Sequence, residues 1–585
     1  MNNYTIQTHN GTEVPASIYQ AQIFDKIING SGNMVINAAA GSAKTTTIVN
    51  ALRFIPEDKT ALFIAFNNEI VATIKDEVDR KNTKISTFHS LGLSILKENK
   101  IIPEGSDPFE FKYINYIKNN ISNITSFKET RSLGANAPTY INNIKMLVEY
   151  CRYYLAFTTK QIERVADLYD IVPIRDEFIV CRDVLLWGKN NLDTIDYTDM
   201  VWLPNVLNLS TKRYLYDWIF VDEAQDTSIM EQNLCEKCFK RNTRFVAVGD
   251  KSQQINTWCG ATQEAIDNFE HKPNTEVLRL PISYRCPKAV VEYASKYGYI
   301  EAADGAEEGA VNFDVSVNEA QEGDMILCRT TAPLVDEYLH LLKCNKKVYL
   351  KGMDGIRSNY LSLIRSTKSE KIDVNCITVN GMFPMLYKHL FEEIEKTKKH
   401  FNIDDDDAMG YPTIYQLYDN IEGIKAIAQG LVDVNELIDK INMIFSGSEK
   451  GGIILSTVHK AKGLEANNVF ILYPSLMPFG LAHKPWELEA EKNLQYVAYT
   501  RAKKTLNFIT EPKNAWRAKY ASSVNLKSIL NDIKTKINYN SSLNIKEGNI
   551  EMHIGQPKVL GENAPMVTTP KQNKVKGGLK FRNLM

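Results

Sequence analysis

Residues 34–47, MVINAAAGSAKTTT, constrain the fold more than any other stretch. A short apolar run leads into small residues, and Lys44-Thr45 then opens a helix-like segment over Thr45–Phe54. Strand, tight loop and helix in this order form a phosphate-binding unit, with the general pattern G-x-x-x-x-G-K-[ST]. Its glycines let the backbone curl around phosphate oxygens. Here positions 38 and 43, both glycine in that pattern, are alanine. The loop alone therefore fits a working nucleotide site, a decayed one, or a chance Lys-Thr at a helix start.

Further short apolar runs follow: Ala61–Phe66, Trp218–Asp222 and Phe245–Gly249. Each ends in small or polar residues, as buried parallel strands do. Their alternation with helix-like segments predicts a doubly wound α/β core. Between about 93 and 195 the chain is instead Asn/Lys/Ile/Tyr-rich and helix-like. A second strand-rich set begins near 277 and includes Met325–Cys328 and Lys347–Leu350; after another helical stretch it resumes with Gly452–Leu455, Val469–Leu472 and Leu506–Ile509. The expected organisation is a first core over 1–92 and 196–276, interrupted by a helical insert over 93–195. A second core over 277–365 and 451–535 is interrupted by a smaller insert over 366–450, and a tail follows over 536–585.

A net charge of −1 leaves no global basic field, so a nucleic-acid site would have to be a local groove. No apolar run nears the roughly 20 residues of a membrane span, and the N-terminus lacks a signal-peptide core, so a cytoplasmic setting without membrane contact is expected. Nine scattered cysteines include one close pair, Cys235 and Cys238, with no second pair at zinc spacing. Reduced thiols are the default reading.

A nucleotide site needs a metal-holding acid at the end of another strand. Trp218–Asp226 reads WIFVDEAQD, an apolar strand and then Asp222-Glu223. In a site of this class the first acid holds Mg²⁺ and the second positions or deprotonates the attacking water. Lys44 would reach the β- and γ-phosphates, and Thr45 would share the metal with Asp222. Gln253, just past a third strand, is placed to sense the γ-phosphate, and Arg285 and Arg501 to act as fingers from the second core.

Taken together, these words resemble the superfamily 1 DNA helicases of the UvrD/Rep/PcrA group, in order and from about 17 to 510. SIYQAQIFD is similar to the adenine-reading motif, AAAGSAKTT to motif I, FIAFNN to motif Ia and STFHSLG to the next strand-facing motif. FVDEAQD resembles motif II, VGDKSQQINTWCGA motif III, ISYRCP motif IV, STVHKAKGLE motif V and LQYVAYTRAKK motif VI. The resemblance implies two RecA-like parallel-sheet cores, 1A and 2A, with helical inserts 1B and 2B. It also implies ATP- and Mg²⁺-dependent 3′→5′ movement on single-stranded DNA, with strand separation at single-strand/duplex junctions in replication, recombination or repair. By the same resemblance Gln20 reads adenine, Tyr284 stacks on it, and Glu465 contacts the ribose. The loop residues Ala40, Gly41, Ser42, Ala43, Lys44, Thr45 and Thr46 hold the phosphates, while Phe66, Thr87, His89, Trp258, Thr457 and His459 face the strand. Stacking suits a motor that must hold any sequence, at about 1–3 kcal/mol per base.

Some positions depart from the family. Motif III carries Asn256 and Cys259 where an aromatic and an Arg are usual, and the 366–450 insert is short and includes the acidic run Asp404–Asp407. The family's own loop is A-x-x-G-x-G-K-T, so only Ala43 departs there. If that position is left-handed, alanine costs about 1–2 kcal/mol. The last 17 residues hold five basic side chains and no acid. They read either as a solubilising end or as a docking segment for a replication or repair protein, carried by Leu579, Phe581 and Leu584. Three other readings stay open: an RNA translocase, a subunit of a larger complex with weak unwinding of its own, and a degenerate ATPase that binds strands as a scaffold. A helicase–nuclease subunit would need a further domain that the short tail does not supply.

Overall fold

A computed structural model describes residues 4–8, 11–78, 80–103, 107–124, 137–169, 171, 176–255, 264–367, 378–401, 408, 411–445, 451–480, 482 and 485–511. Asn256, Trp258, Cys259, Asp404–Asp407 and the tail lie outside the described residues.

Two six-stranded, all-parallel sheets organise the chain. The first uses β1 (Asn33–Ala38), β2 (Ala61–Ile64), β3 (Thr83–Ser86), β4 (Tyr216–Val221), β5 (Phe239–Gly249) and β6 (Thr275–Leu280). Their order across the sheet is β3-β2-β4-β5-β1-β6. The second uses β7 (Ala310–Val315), β8 (Met325–Cys328), β9 (Val348–Leu350), β10 (Ile453–Thr457), β11 (Ala466–Ile471) and β12 (Ala502–Ile509). They run in the order β7-β12-β11-β8-β10-β9. This is the doubly wound, two-core α/β class the sequence predicts.

Strand β6 differs from expectation. The run near 277 belongs to the first sheet, where it pairs with β1 from Asn33↔Thr275 to Ala38↔Leu280. The second sheet starts only at Ala310. An apolar run marks a strand but carries no mark of which sheet it joins, and here the β1 edge captures it.

Alternation along the strands explains why both faces of each sheet are covered. On β1, Met34, Ile36 and Ala38 enter one core while Val35 enters the other; on β4, Trp218 and Phe220 are split likewise from Ile219 and Val221. Among the described residues, six helices stand between β3 and β4: Phe88–Glu98, Lys112–Ile124, Ala137–Tyr153, Thr159–Leu168, Glu177–Asn190 and Tyr197–Val206. Their apolar residues Tyr140, Ile144, Leu147 and Trp202 share one continuous core with Val35, Leu62, Ile64, Ile219 and Val221. The helical run thus starts earlier and ends later than 93–195. Phe88–Glu98 and Tyr197–Val206 pack so closely that a Cβ on Gly92 would stand 2.0 Å from the Met200 carbonyl oxygen. In the second core, helices Met353–Ser366, Val379–Phe401, Pro412–Ile427 and Val434–Phe445 lie between β9 and β10 and share a core with Ile326, Val348 and Leu455.

The helical region between β3 and β4 is pinned by buried charge. Asp199 accepts from Lys112 Nζ at 2.6 Å, from the Tyr113 hydroxyl at 2.7 Å and from Arg152 at 3.2 Å. Arg152 also donates to both carboxylate oxygens of Asp196, at 2.8 and 2.7 Å. Charge at this depth is tolerable only because nearly every donor finds an acceptor.

Candidate nucleotide site and strand interface

All parallel strands of the first sheet deliver their ends to one edge, where ligands of such sheets bind. The ends of β1, β4 and β5 carry the nucleotide candidates; those of β2 and β3 carry strand candidates. The loop after β1 turns through Gly41 at φ 72° and Ala43 at φ 59°, ψ 42°, and enters helix Lys44–Ala51. Ala43 caps that helix without a side-chain hydrogen bond, which leaves the first-turn amides open to an anion. Gly41 has a second reason to be glycine, because a Cβ there would lie 2.6 Å from Arg285 Cβ and 2.8 Å from Ser283 Oγ. Ser42 Oγ is buried with no partner among the described residues. An orphaned hydroxyl beside open amides fits a phosphate-bearing ligand.

Lys44 Nζ stands 3.3 Å from both carboxylate oxygens of Glu223. Burial works against its charge, but Glu223, Asp250 and Asp222 outweigh it and raise its pKa. Thr45 donates to Asp222 Oδ2 at 2.6 Å, an oxygen-rich pair suited to a hard divalent cation. Burial, with Glu223 next to it, pushes Asp222 up to about 6. Burial acts in the same direction on Glu223, but Lys44 and then Lys462 overcome it and hold that carboxyl at about 2. Glu223 is itself left-handed, at φ 52°. Gln225 ties the strand ends together, donating to Glu223 and accepting the Asp250 amide at 3.0 Å. Gln253 donates to Asp250 Oδ2 at 2.6 Å.

The second core closes over this edge. Arg501, fully buried, donates to the carbonyls of Val497 at 2.9 Å and Leu464 at 3.3 Å, and reaches Gln253 Oε1 at 3.4 Å. Burial and then Arg285 lower its pKa to about 10, so it stays cationic at neutral pH. Arg285 donates to Glu465 at 2.7 Å, and Lys503 is a second partner of that carboxylate. The Tyr284 amide donates to the Gly41 carbonyl at 2.9 Å, and its ring is 52% exposed beside the loop. Gln20 lies behind helix Lys44–Ala51, buried, with both ends of its amide in use: Oε1 accepts from Ser17 N and Nε2 donates to Thr47.

Five contacts across the cleft, made by Lys462, Asn493 and Tyr496, were not anticipated from sequence. Lys462 donates to Asp226 at 2.5 Å and to the Gln253 carbonyl at 2.8 Å. Asn493 donates to the carbonyls of Lys251 and Gln254, both at 3.1 Å. The Tyr496 hydroxyl accepts the Ala40 amide at 3.1 Å. The third carboxylate of DEAQD and the second lysine of KAKGLE were visible as isolated charges, but pairing over 236 positions has no local signature.

Phe66 follows β2 and is 57% exposed, and His89 is exposed on the helix after β3. Thr87 is buried and caps that helix, accepting the Ser90 amide at 3.2 Å. Thr457 ends β10 and His459 follows it, both half-buried, and burial together with Arg329 keeps the His459 imidazole neutral. Among the described residues no group of three or more His, Cys, Asp or Glu is placed to hold a metal, and Cys235 and Cys238 are buried free thiols. No helix among them is long and apolar enough to cross a membrane.

Comparison with known proteins gives consistent matches. Residues 20–274 match the UvrD/REP helicase N-terminal domain, and residues 452–509 the UvrD-like helicase C-terminal domain. The chain is 27% identical over 288 residues to the ATP-dependent DNA helicase Rep of Buchnera aphidicola subsp. Baizongia pistaciae, covering 45% of this chain and 40% of that protein. It is 24% identical over 285 residues to the ATP-dependent DNA helicase PcrA of Staphylococcus aureus, covering 45% and 38%. F-box DNA helicase protein 1 of Schizosaccharomyces pombe aligns at 21% identity over 528 residues, 83% of this chain and 56% of that one. The chain thus spans about two fifths of the length of the bacterial relatives it matches.

Proposed function

The chain belongs to the UvrD/Rep helicase family, and on that premise we propose that it is an ATP-dependent motor that moves 3′→5′ on single-stranded DNA and parts duplex strands at junctions. The observation that carries this reading is convergence. The lysine and open amides of one sheet's phosphate loop, two strand-end carboxylates and two arginines of the second core meet in one cleft.

In this reading the loop Ala40–Thr46, through its amides after Ala40, and the Lys44 ammonium bind the β- and γ-phosphates, Thr45 and Asp222 hold Mg²⁺, Tyr284 stacks on the adenine, Glu465 faces the ribose and Gln20 supports the base. ATP with its metal ion supplies the phosphoanhydride and neutralises its charge. Glu223 exchanges Lys44 for the attacking water and takes its proton, aimed by its left-handed backbone. Arg285 and Arg501 join Lys44 in meeting the charge that develops at the terminal phosphate, an arrangement worth 10³–10⁵ in rate in known cases. Gln253 accepts from Arg501 and its carbonyl accepts from Lys462, which supports its role in passing the state of the phosphate to the second core. Phe66 and His89, with Thr87, Thr457, His459 and Trp258, grip the strand by stacking and backbone contact.

The test is ATPase activity with and without single strands, and unwinding of 3′- and 5′-tailed duplexes, with Glu223→Gln as control. Strand-stimulated hydrolysis and preference for the 3′ tail are expected; a wild type as inactive as Glu223→Gln overturns the reading. Stronger stimulation by RNA than by DNA would reassign the substrate. Removing residues 570–585 tests the tail as a docking segment for a replication or repair protein, with loss of partner-stimulated unwinding expected.

A further inference from the structure

One contact of the cleft is used by no residue role above. Tyr496 sits on helix Pro485–Tyr499 of the second core, fully buried, and its phenol oxygen accepts the amide of Ala40, also fully buried. Ala40 lies in the phosphate loop itself, directly before Gly41 and the orphaned Ser42 hydroxyl. A phenol is both acceptor and donor. Its acceptor side is filled by Ala40, and no acceptor for its own proton is found among the described residues. A buried donor left without an acceptor is rare in folded proteins and points to a missing partner.

The rest of the helix fixes where that proton sits. One turn earlier, Asn493 clamps the carbonyls of Lys251 and Gln254, on either side of Gln253. Just past its end, Arg501 reaches the Gln253 side chain. Positions 493 and 496 lie on one helical face. The hydroxyl is therefore held between the phosphate loop and the turn after β5, and its ring packs against Gly298, where a Cβ would meet the ring at 2.8 Å. Neither the ring nor the helix is free to turn the hydroxyl away.

We infer that Tyr496 is a specificity-determining residue of the nucleotide site, whose hydroxyl, oriented by the Ala40 amide, donates to the terminal phosphate of a nucleoside triphosphate. This rests on the nucleotide reading above. A diphosphate offers no oxygen at that place, so the hydroxyl separates the triphosphate from the diphosphate and ties the second core to the loop only when the former is bound.

The experiment is equilibrium binding of a non-hydrolysable ATP analogue and of ADP to the full chain, for wild type and Tyr496→Phe, with melting temperature as the fold check. Phenylalanine keeps the buried ring and removes both the donor to an anionic oxygen and the acceptor of the Ala40 amide, the second loss being common to both ligands. The affinity for the triphosphate analogue should fall about tenfold or more relative to that for ADP. An unchanged ratio of analogue to ADP affinity overturns the inference. So does parallel weakening of both ligands with a lowered melting temperature, which would make Tyr496 a packing residue. A wild type that binds neither ligand would instead remove the nucleotide reading itself.

Discussion

Replacing Ala43 by glycine isolates what one methyl does to the phosphate loop. Ala43 holds φ 59°, ψ 42°, in the left-handed well. That conformation costs an L-residue about 1–2 kcal/mol, and glycine escapes the cost. Glycine also makes the unfolded chain more flexible, which takes back about 0.4–1 kcal/mol. The net gain in folding is therefore about 0–1.6 kcal/mol. The amide that faces the ligand is the same in both residues. Ala43 is only half-buried, so its methyl is not wedged against a neighbour. ATPase kcat/KM should change less than about threefold, since a tenfold change would need about 1.4 kcal/mol of differential binding. Gly41→Ala is the contrasting case. It too is left-handed, at φ 72°, but its added Cβ meets Arg285 Cβ at 2.6 Å and Ser283 Oγ at 2.8 Å. Relief requires moving the segment that carries Arg285, so kcat/KM should fall at least a hundredfold. The assays are steady-state ATPase with single strands present and denaturant midpoints. A tenfold gain in Ala43→Gly would refute the reasoning, because it would mean that the methyl obstructs the phosphate. Wild-type activity in Gly41→Ala would refute the steric half.

Three further outcomes are expected. Asp199→Asn leaves Lys112 and Arg152 buried with one carboxylate fewer, and should cost about 3–5 kcal/mol in the denaturant midpoint without changing ATP affinity. Lys462→Met strands Asp226 in the cleft and should lower strand-stimulated ATPase at least tenfold, with partial recovery in the double variant with Asp226→Asn. Asp217 is held at about 2 against burial by Lys240 and Thr60, below its ordinary 3.8. Because the folded pKa is the lower one, the stability it adds is complete above about pH 4 and is lost as pH falls through 2. The gap between wild type and Asp217→Asn, about 1–2 kcal/mol, should be full at pH 5 and close toward pH 2 in acid titrations of the denaturant midpoint.

Much of this architecture was legible because buried parallel strands are written as short continuous apolar words. Met325–Cys328 appears in the structure with the same bounds, and MVIN sits inside β1. The phosphate loop and the acids after β4 were legible because their chemistry is local: Lys44, Thr45, Asp222 and Glu223 each follow a strand at fixed spacing. What was hidden depends on contacts between distant segments. The sheet membership of Thr275–Leu280 is decided by the free edge of β1, and the Tyr496 hydroxyl meets Ala40 across 456 positions. The ends of the helical insert were blurred for a similar reason, since Phe88–Glu98 and Tyr197–Val206 straddle the expected bounds at 93 and 195 and pack on each other through Gly92.

The helices between β3 and β4 do not form a separable module, because Tyr140, Ile144, Leu147 and Trp202 lie in one core with Val35, Leu62, Ile64, Ile219 and Val221. They act as the roof of the first sheet. A shortened chain that joins residue 92 to residue 196 would lose Tyr140, Ile144 and Leu147 and leave that face of the sheet only partly covered by Trp202 and its neighbours, an aggregation-prone surface. Any motion of the proposed motor must then be sought at the seam between the cores, whose polar contacts run from Lys462 and Asn493 to Arg501, and not where oil meets oil beneath that roof.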